Sequence, residues 1–223
     1  MKRFFVHIPK NGGITLRFWA KSGDYTEMMC NFWKNYDSLR YSKEEINFAL
    51  SSMGSWDRSV GHARVTDFIE GYLDDYQTFC IIRNPWDRVV TQFEYMMYRS
   101  REFGIKAYRV SCLNDYLNLH ERFDGVRFNW FNASTSFFCQ KDYIDDKTHC
   151  LRFEFYNEDT KNYLGLDKPL RRRNETKGKR SYTEYYDDNL IQRVADIYKD
   201  DIDHFDFDFD TPARKNIYYM ENV

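Results

Sequence analysis

The 223-residue sequence has almost no net charge, only −2 at pH 7. No long-range field marks it as a nucleic-acid or membrane-surface binder, so any anion recognition must come from local patches. Five cysteines (Cys30, Cys80, Cys112, Cys139, Cys150) are scattered without a CxxC pair. That dispersed, odd count argues against a disulfide framework and against a zinc site. No apolar run is long enough to span a bilayer, and Met1-Lys2-Arg3 leads straight into an apolar strand with no room for a signal peptide. A cytoplasmic, reduced protein is expected, with no membrane or nucleic-acid partner. The sequons at Asn132 and Asn174 are then expected to be accidental. Internal repeats, low-complexity tracts and convincing linkers are lacking too, so residues 1–223 read as one domain. Also absent is the Gly-Lys-Ser/Thr ending of a Walker A loop, whose hydroxyl would hold magnesium.

What is present is an alternation of strands and helices, which predicts an α/β fold with a mostly parallel sheet flanked by helices. Arg3 to Ile8, Ser59 to Ala63, Gln77 to Arg83 and His149 to Glu154 read as strands. Helices are expected from Ile14, from Pro85 with Asn84 as N-cap, and over Asp187 to Asp201. Ligands of such sheets bind beyond the carboxyl ends of the strands. Chemistry is therefore expected after Ile8, after Ile82 and near Glu154.

The first of these places carries His7-Ile8-Pro9-Lys10-Asn11-Gly12-Gly13-Ile14-Thr15. Paired glycines let backbone amides approach a ligand, the helix start offers unpaired N–H groups, and Lys10 adds a point charge. The second carries Arg83-Asn84-Pro85-Trp86-Asp87-Arg88-Val89-Val90-Thr91. A strand of a P-loop NTPase often ends here in a magnesium-holding Asp. In this chain the end is cationic, which suits direct contact with an anion, and the Thr91 hydroxyl lies two turns into the helix.

Together the two segments resemble the sulfotransferase superfamily, in particular its carbohydrate, uronyl 2-O-like, Golgi-type branch. HIPKNGG is similar to that branch's 5′-phosphosulfate loop HIPKTGG, with Asn11 in place of Thr. RNPxxRxxT is similar to its 3′-phosphate motif RNPxxRxxS, with Thr91 in place of Ser. Val60-Gly61-His62-Ala63-Arg64 resembles a Gly-His segment that carries the catalytic base, and Thr176-Lys177-Gly178-Lys179-Arg180 resembles a loop closing over the adenosine and 3′-phosphate. The resemblance implies a P-loop-kinase-like three-layer sandwich that uses 3′-phosphoadenosine 5′-phosphosulfate (PAPS) without a metal. It implies His62 as general base and Lys10 as stabiliser of the leaving oxygen. The amides of Asn11, Gly12, Gly13, Ile14 and Thr15 would hold the 5′-phosphosulfate, with the Lys10 side chain beside them. Arg83, Thr91, Lys177, Gly178, Lys179 and Arg180 would hold the nucleotide and its 3′-phosphate. The acceptor it implies is a hydroxyl, foremost on a carbohydrate. The branch's membrane anchor is missing here, which suits a bacterial or viral setting.

Residues 97–147 match nothing in that family and are the expected seat of acceptor specificity. Alternative readings are a P-loop-type kinase acting on a small molecule and a non-catalytic nucleotide- or glycan-binding domain. The first predicts the missing Gly-Lys-Ser/Thr, and the second predicts loss of Lys10 or His62. Glu154 reads either as an acceptor or base contact, or as a salt-bridge partner of Arg152 or a neighbouring Arg. His7, between Val6 and Ile8, reads as structural; His120, His149 and His204 have no metal-ligand spacing among them, and Asp206 to Asp210 reads as a terminal segment that packs its phenylalanines.

Overall fold

The run Tyr76-Gln77-Thr78-Phe79-Cys80-Ile81-Ile82 is the strand on which the rest is built, and its last five residues are buried. In the computed structural model, residues 2–21, 28–30, 38–42, 44, 62–103, 110–123, 138–171 and 180–210 are described. Four strands form one parallel sheet: β1 (Lys2–Phe5), β2 (Met28–Cys30), β3 (Tyr76–Ile82) and β4 (His149–Arg152), in the order β2-β1-β3-β4. Because successive side chains of a strand point to opposite faces, β1, β3 and β4 feed two cores. Phe4, Val6, Cys80, Ile82 and Cys150 lie on one face, and Phe5, Phe79, Ile81 and Leu151 on the other.

Among the described residues six helices supply the covering layers: α1 (Gly13–Lys21), α2 (Pro85–Phe103), α3 (Leu113–Phe123), α4 (Tyr156–Leu164), α5 (Asp188–Ile197) and α6 (Lys199–Phe205). On the first face Trp86, Val89 and Val90 of α2 pack with Val194, Tyr198 and Phe205. On the second, Leu16 of α1 meets Tyr156, Tyr163 and Leu164 of α4. The result is the three-layer α/β arrangement expected, with helices on both sides of a parallel sheet. Each fully buried aliphatic or aromatic side chain contributes about 1.5–3 kcal/mol.

Several boundaries differ from expectation. β1 stops at Phe5, although the Val6 amide still donates to Phe79 O at 2.8 Å. β2 carried no sequence signal. The expected strand over 59–63 is not formed at its described end: His62 lies in a turn, and a 3₁₀ turn follows at Val65–Asp67. β4 ends at Arg152 rather than Glu154. The single helix expected over Asp187 to Asp201 is two, interrupted at Tyr198 (φ −109°, ψ 28°). Asp187 is the N-cap of the first of these, accepting from the Leu190 amide at 2.8 Å. Among the described residues no helix is long and apolar enough to cross a membrane. The sequons at Asn132 and Asn174 lie outside them.

Candidate active site

The strand order places β1 and β3 side by side while their onward connections diverge: β1 leads through α1 to β2 on one side, and β4 lies on the other. That is a topological switch point, the place where open parallel sheets form a ligand crevice. The turns after Phe5 and after Ile82 both open there.

The first turn is shaped by backbone. Lys10 takes a left-handed φ of 69° and Gly12 a φ of 81°. Only glycine adopts the second without strain, and a Cβ there would also meet the Tyr156 ring at 3.0 Å. At Gly13 a Cβ would lie 2.2 Å from the His7 ring, so this glycine is required for the close approach. Two carbonyls of the turn are held by arginines. Arg88 Nε donates to Pro9 O at 3.3 Å, and Arg83 Nη1 donates to Lys10 O at 2.7 Å. With its carbonyls so held, the turn offers amides. Asn11 N already donates to Ile8 O (3.4 Å) and Thr15 N to Gly12 O (3.2 Å). Gly12, Gly13 and Ile14 are therefore the better-placed donors, at the end of α1 where helix amides lack a preceding carbonyl.

The second turn is shaped by side chains. Asn84 Oδ1 accepts from the amides of Trp86 (3.0 Å) and Asp87 (3.4 Å), which starts α2 as the sequence predicted. Arg83 is 5% exposed. Its Nε and Nη2 both donate to Asp87 Oδ2, at 2.8 and 2.6 Å, and its guanidinium stacks 3.9 Å over the Phe153 ring. Three of its five N–H donors are thus committed, and one hydrogen remains on each terminal nitrogen. Asp87, Thr91 and Tyr95 follow at intervals of four along α2 and share one face. Arg83 is bound at the first position, and Lys10 Nζ lies 3.8 Å over the Tyr95 ring at the third. The Thr91 hydroxyl is thereby placed on the stripe between the two cations. Arg180 lies at the edge, its Cζ 5.2 Å over the Tyr185 ring, and Tyr185 OH donates to Glu94 of α2 at 2.9 Å. Lys177, Gly178 and Lys179 lie outside the described residues. So do Gly61, the basic pair Arg172 and Arg173, and the aromatic residues Phe128, Trp130 and Phe131.

His62 stands beside the first turn. Its Nδ1 is 2.9 Å from His7 O. A carbonyl only accepts, so Nδ1 carries the proton and Nε2 is the basic nitrogen. The segment following is pinned by Arg64, which donates through Nε and Nη2 to buried Asp67 at 3.0 and 2.9 Å, while Tyr41 OH donates to the same carboxylate at 2.6 Å. The His7 ring lies 4.3 Å from that of His62. Burial, then the charges of His62, Arg17 and Lys10, hold the His7 imidazole well below its ordinary pKa. His7 therefore stays neutral, the structural part expected of it.

Glu154 does not pair with Arg152, which instead forks onto Asp159 through Nε and Nη2 at 2.9 and 2.8 Å. Glu154 Oε1 accepts from the Asn84 amide at 2.8 Å, at the start of α2. Burial raises its pKa, against the lowering effects of that bond and of Arg83.

Two residues that sequence reasoning passed over matter here. Asp87 orients Arg83, and its place as the acidic residue in the first turn of the helix that follows Arg83 was the available signal. Gln140, wholly buried, bonds to both turns and had no signal at all. Asn11, expected to serve through its backbone, uses its side chain as well: Nδ2 donates to Ile81 O and Gln140 Oε1, both at 2.6 Å. Among the described residues no cluster of His, Cys, Asp or Glu suits a metal ion.

No protein-family description matches the chain, and no curated protein does. A solved sulfotransferase from Alicyclobacillus acidocaldarius is similar to it, with 14% identity over 94% of this chain and 97% of that one and a TM-score of 0.45. These comparisons assign the chain to no family, so its functional reading rests on the residues of the two turns.

Proposed function

We propose that this protein is a sulfotransferase that moves a sulfuryl group from PAPS to an acceptor hydroxyl. The observation that carries the reading is the bond from Arg83 Nη1 to Lys10 O: the two motif-bearing turns are physically joined at the switch point. One turn presents backbone amides and the other presents cations. That pairing suits a ligand with an anionic group at each end, as PAPS has at its 5′ and 3′ positions. The Gly12 cradle, which a Cβ would crowd, fits close approach of a phosphosulfate. Arg83 with its remaining hydrogens, the Thr91 hydroxyl and Arg180 suit the 3′-phosphate, and a planar guanidinium suits it better than an ammonium would. Lys177, Gly178 and Lys179 are proposed to complete that end.

In the proposed reaction the acceptor oxygen forms a bond to sulfur as the bond from sulfur to the bridging 5′-phosphate oxygen breaks. His62 Nε2 takes the acceptor proton. Its Nδ1–H, anchored on His7 O, holds the ring in the tautomer that can do so. Lys10, on a flexible stem now resting over Tyr95, stabilises the charge that develops on the departing adenosine 3′,5′-bisphosphate. The preferred acceptor is a carbohydrate hydroxyl, on the resemblance of the Gly61-His62 segment to that branch. No resident cofactor or metal is required by this scheme.

Thermal unfolding tests the donor. Adenosine 3′,5′-bisphosphate at about a hundred times its Kd should add near 3 kcal/mol of stability. The shift should vanish in Arg83→Ala, and ATP with magnesium should give none. The reverse pattern, with ATP and magnesium stabilising and the bisphosphate inert, would replace this reading with a kinase. His62→Ala should keep the bisphosphate shift and lose turnover, and normal turnover in that variant would end the assignment of the base.

A further inference from the structure

Gln140 lies in a short 3₁₀ turn, Gln140–Tyr143, inside the part of the chain without a family likeness. It is 0% exposed. A primary amide has two acceptor lone pairs and two donor hydrogens, and Gln140 uses all four. Its Oε1 accepts from Asn11 Nδ2 at 2.6 Å and from the Arg83 amide at 2.9 Å. Its Nε2 donates to Arg83 O at 2.8 Å and to Asp201 Oδ2 at 3.2 Å. The partners lie 129, 57 and 61 residues away in sequence. One side chain therefore joins the glycine turn after β1, the arginine turn after β3 and helix α6. The flanking residues reinforce the joint: Arg88 Nη1 donates to Phe138 O at 3.1 Å, and the Lys141 amide donates to Asp201 Oδ1 at 3.0 Å.

We infer that Gln140 is the positioning residue that sets the distance between the two anion-binding turns, acting through Asn11 and Arg83 without touching the donor. Its contacts to Arg83 go to the backbone on both sides, N–H and C=O, so they fix where the strand end sits and leave the guanidinium to Asp87 and the ligand. Its contact to Asn11 fixes the residue between the two left-handed positions, Lys10 and Gly12. A ligand held at both ends is sensitive to that spacing, since misplacement by about an ångström from a remote change can cost on the order of a hundredfold. The ligand named in the test rests on the sulfotransferase reading, whereas the geometry does not.

The test uses the full chain with Gln140→Ala, Gln140→Glu and a double variant that combines Gln140→Glu with Asp201→Asn. Glutamate is isosteric and keeps the acceptor half of the amide, but it loses both donations and faces Asp201 as a like charge. The Asp201→Asn change would restore a donor to that contact and leave the total charge around Arg88 unchanged. Two quantities are read: calorimetric affinity for adenosine 3′,5′-bisphosphate, and hydrogen exchange of peptides covering 9–16 and 82–88 against peptides covering the rest of β3. Both single variants should bind the bisphosphate roughly ten- to a hundredfold more weakly. They should exchange faster in the two turns with β3 unchanged, and the double variant, which restores the contact to residue 201 but not the donation to Arg83 O, should recover part of the affinity that Gln140→Glu loses. Wild-type affinity and unchanged turn exchange in both single variants would overturn the inference. So would faster exchange spread evenly through the chain, which would make Gln140 an ordinary core residue. If wild type itself does not bind the bisphosphate, the donor reading falls, and turn exchange alone then decides for or against Gln140.

Discussion

The turn after β1 and the turn after β3 face the same crevice but are built from different material. The first is made by backbone: two left-handed residues, a glycine pressed on a histidine ring, and carbonyls held by arginines. The second is made by side chains: a buried guanidinium, the carboxylate that aims it and an asparagine cap. A backbone site tolerates changes of side chain but not of shape. A side-chain site tolerates small changes of shape but not of chemistry. The difference teaches that the same demand, binding an anionic group, leaves two unlike traces in a sequence: glycines at set positions in one case, an Arg with its spaced partners in the other.

That contrast is breakable from either side. Gly13→Ala should have the largest effect, because its new methyl would lie 2.2 Å from the His7 ring, so the ring or the turn must shift. Overpacking of this kind costs about 1–3 kcal/mol, to be read as a lower melting temperature, and bisphosphate binding should disappear with it. Wild-type melting and binding in this variant would show that backbone shape does not make the first turn. Asp87→Asn comes next. It keeps an acceptor for Arg83 but removes the charge, so the hydrogen bonds lose about half their strength. Affinity for the bisphosphate should fall by roughly tenfold or less, with the melting temperature nearly unmoved. A rise in affinity would mean that Asp87 competes with the phosphate instead of aiming the arginine.

Glu154→Gln is the smallest and depends on pH. Burial holds the Glu154 carboxyl above its ordinary pKa. A carboxyl raised in this way binds its proton more tightly folded than unfolded. Its stabilising contribution is therefore complete below the unfolded pKa and is lost as pH rises through the folded value. Glutamine keeps an oxygen for the Asn84 amide and has no proton to lose. The variant should match wild type at acid pH and melt above it at neutral pH, the gap opening as pH rises. A gap that is constant across pH would remove the titration from the explanation.

Much of the fold was legible because it rests on local signals. Asn84-Pro85 announces α2, the apolar run Phe79 to Ile82 announces β3, and Leu190, Val194 and Tyr198 recur at helical spacing and are packed on the core cluster. The break at Tyr198 was not legible, since no glycine or proline marks it and the same residues suit one long helix. At its described end, His62 and Ala63, the expected strand gives way to a turn in which His62 bonds to the His7 carbonyl, a tertiary contact that no local pattern announces. The two turns were legible as motifs, but their mutual brace was not: the Arg83 bond to Lys10 O spans 73 residues and leaves no periodicity. Gln140 is the extreme case, a polar residue whose four bonds all depend on distant chain.

The asparagine that caps α2 has a second task. Its Nδ2 donates to Asp208 O at 2.8 Å, 124 residues further along, and next to that contact Phe209 sits edge-on to Trp86, Tyr182 and Tyr186. During synthesis the motif around Arg83 leaves the ribosome long before the stretch that closes over it. At about 5–20 residues per second, roughly 6–25 seconds separate the two. Throughout that interval Trp86 lacks Phe209 as a neighbour, so the nascent chain carries the start of α2 uncovered, and the crevice is finished only when residues 205–210 have emerged.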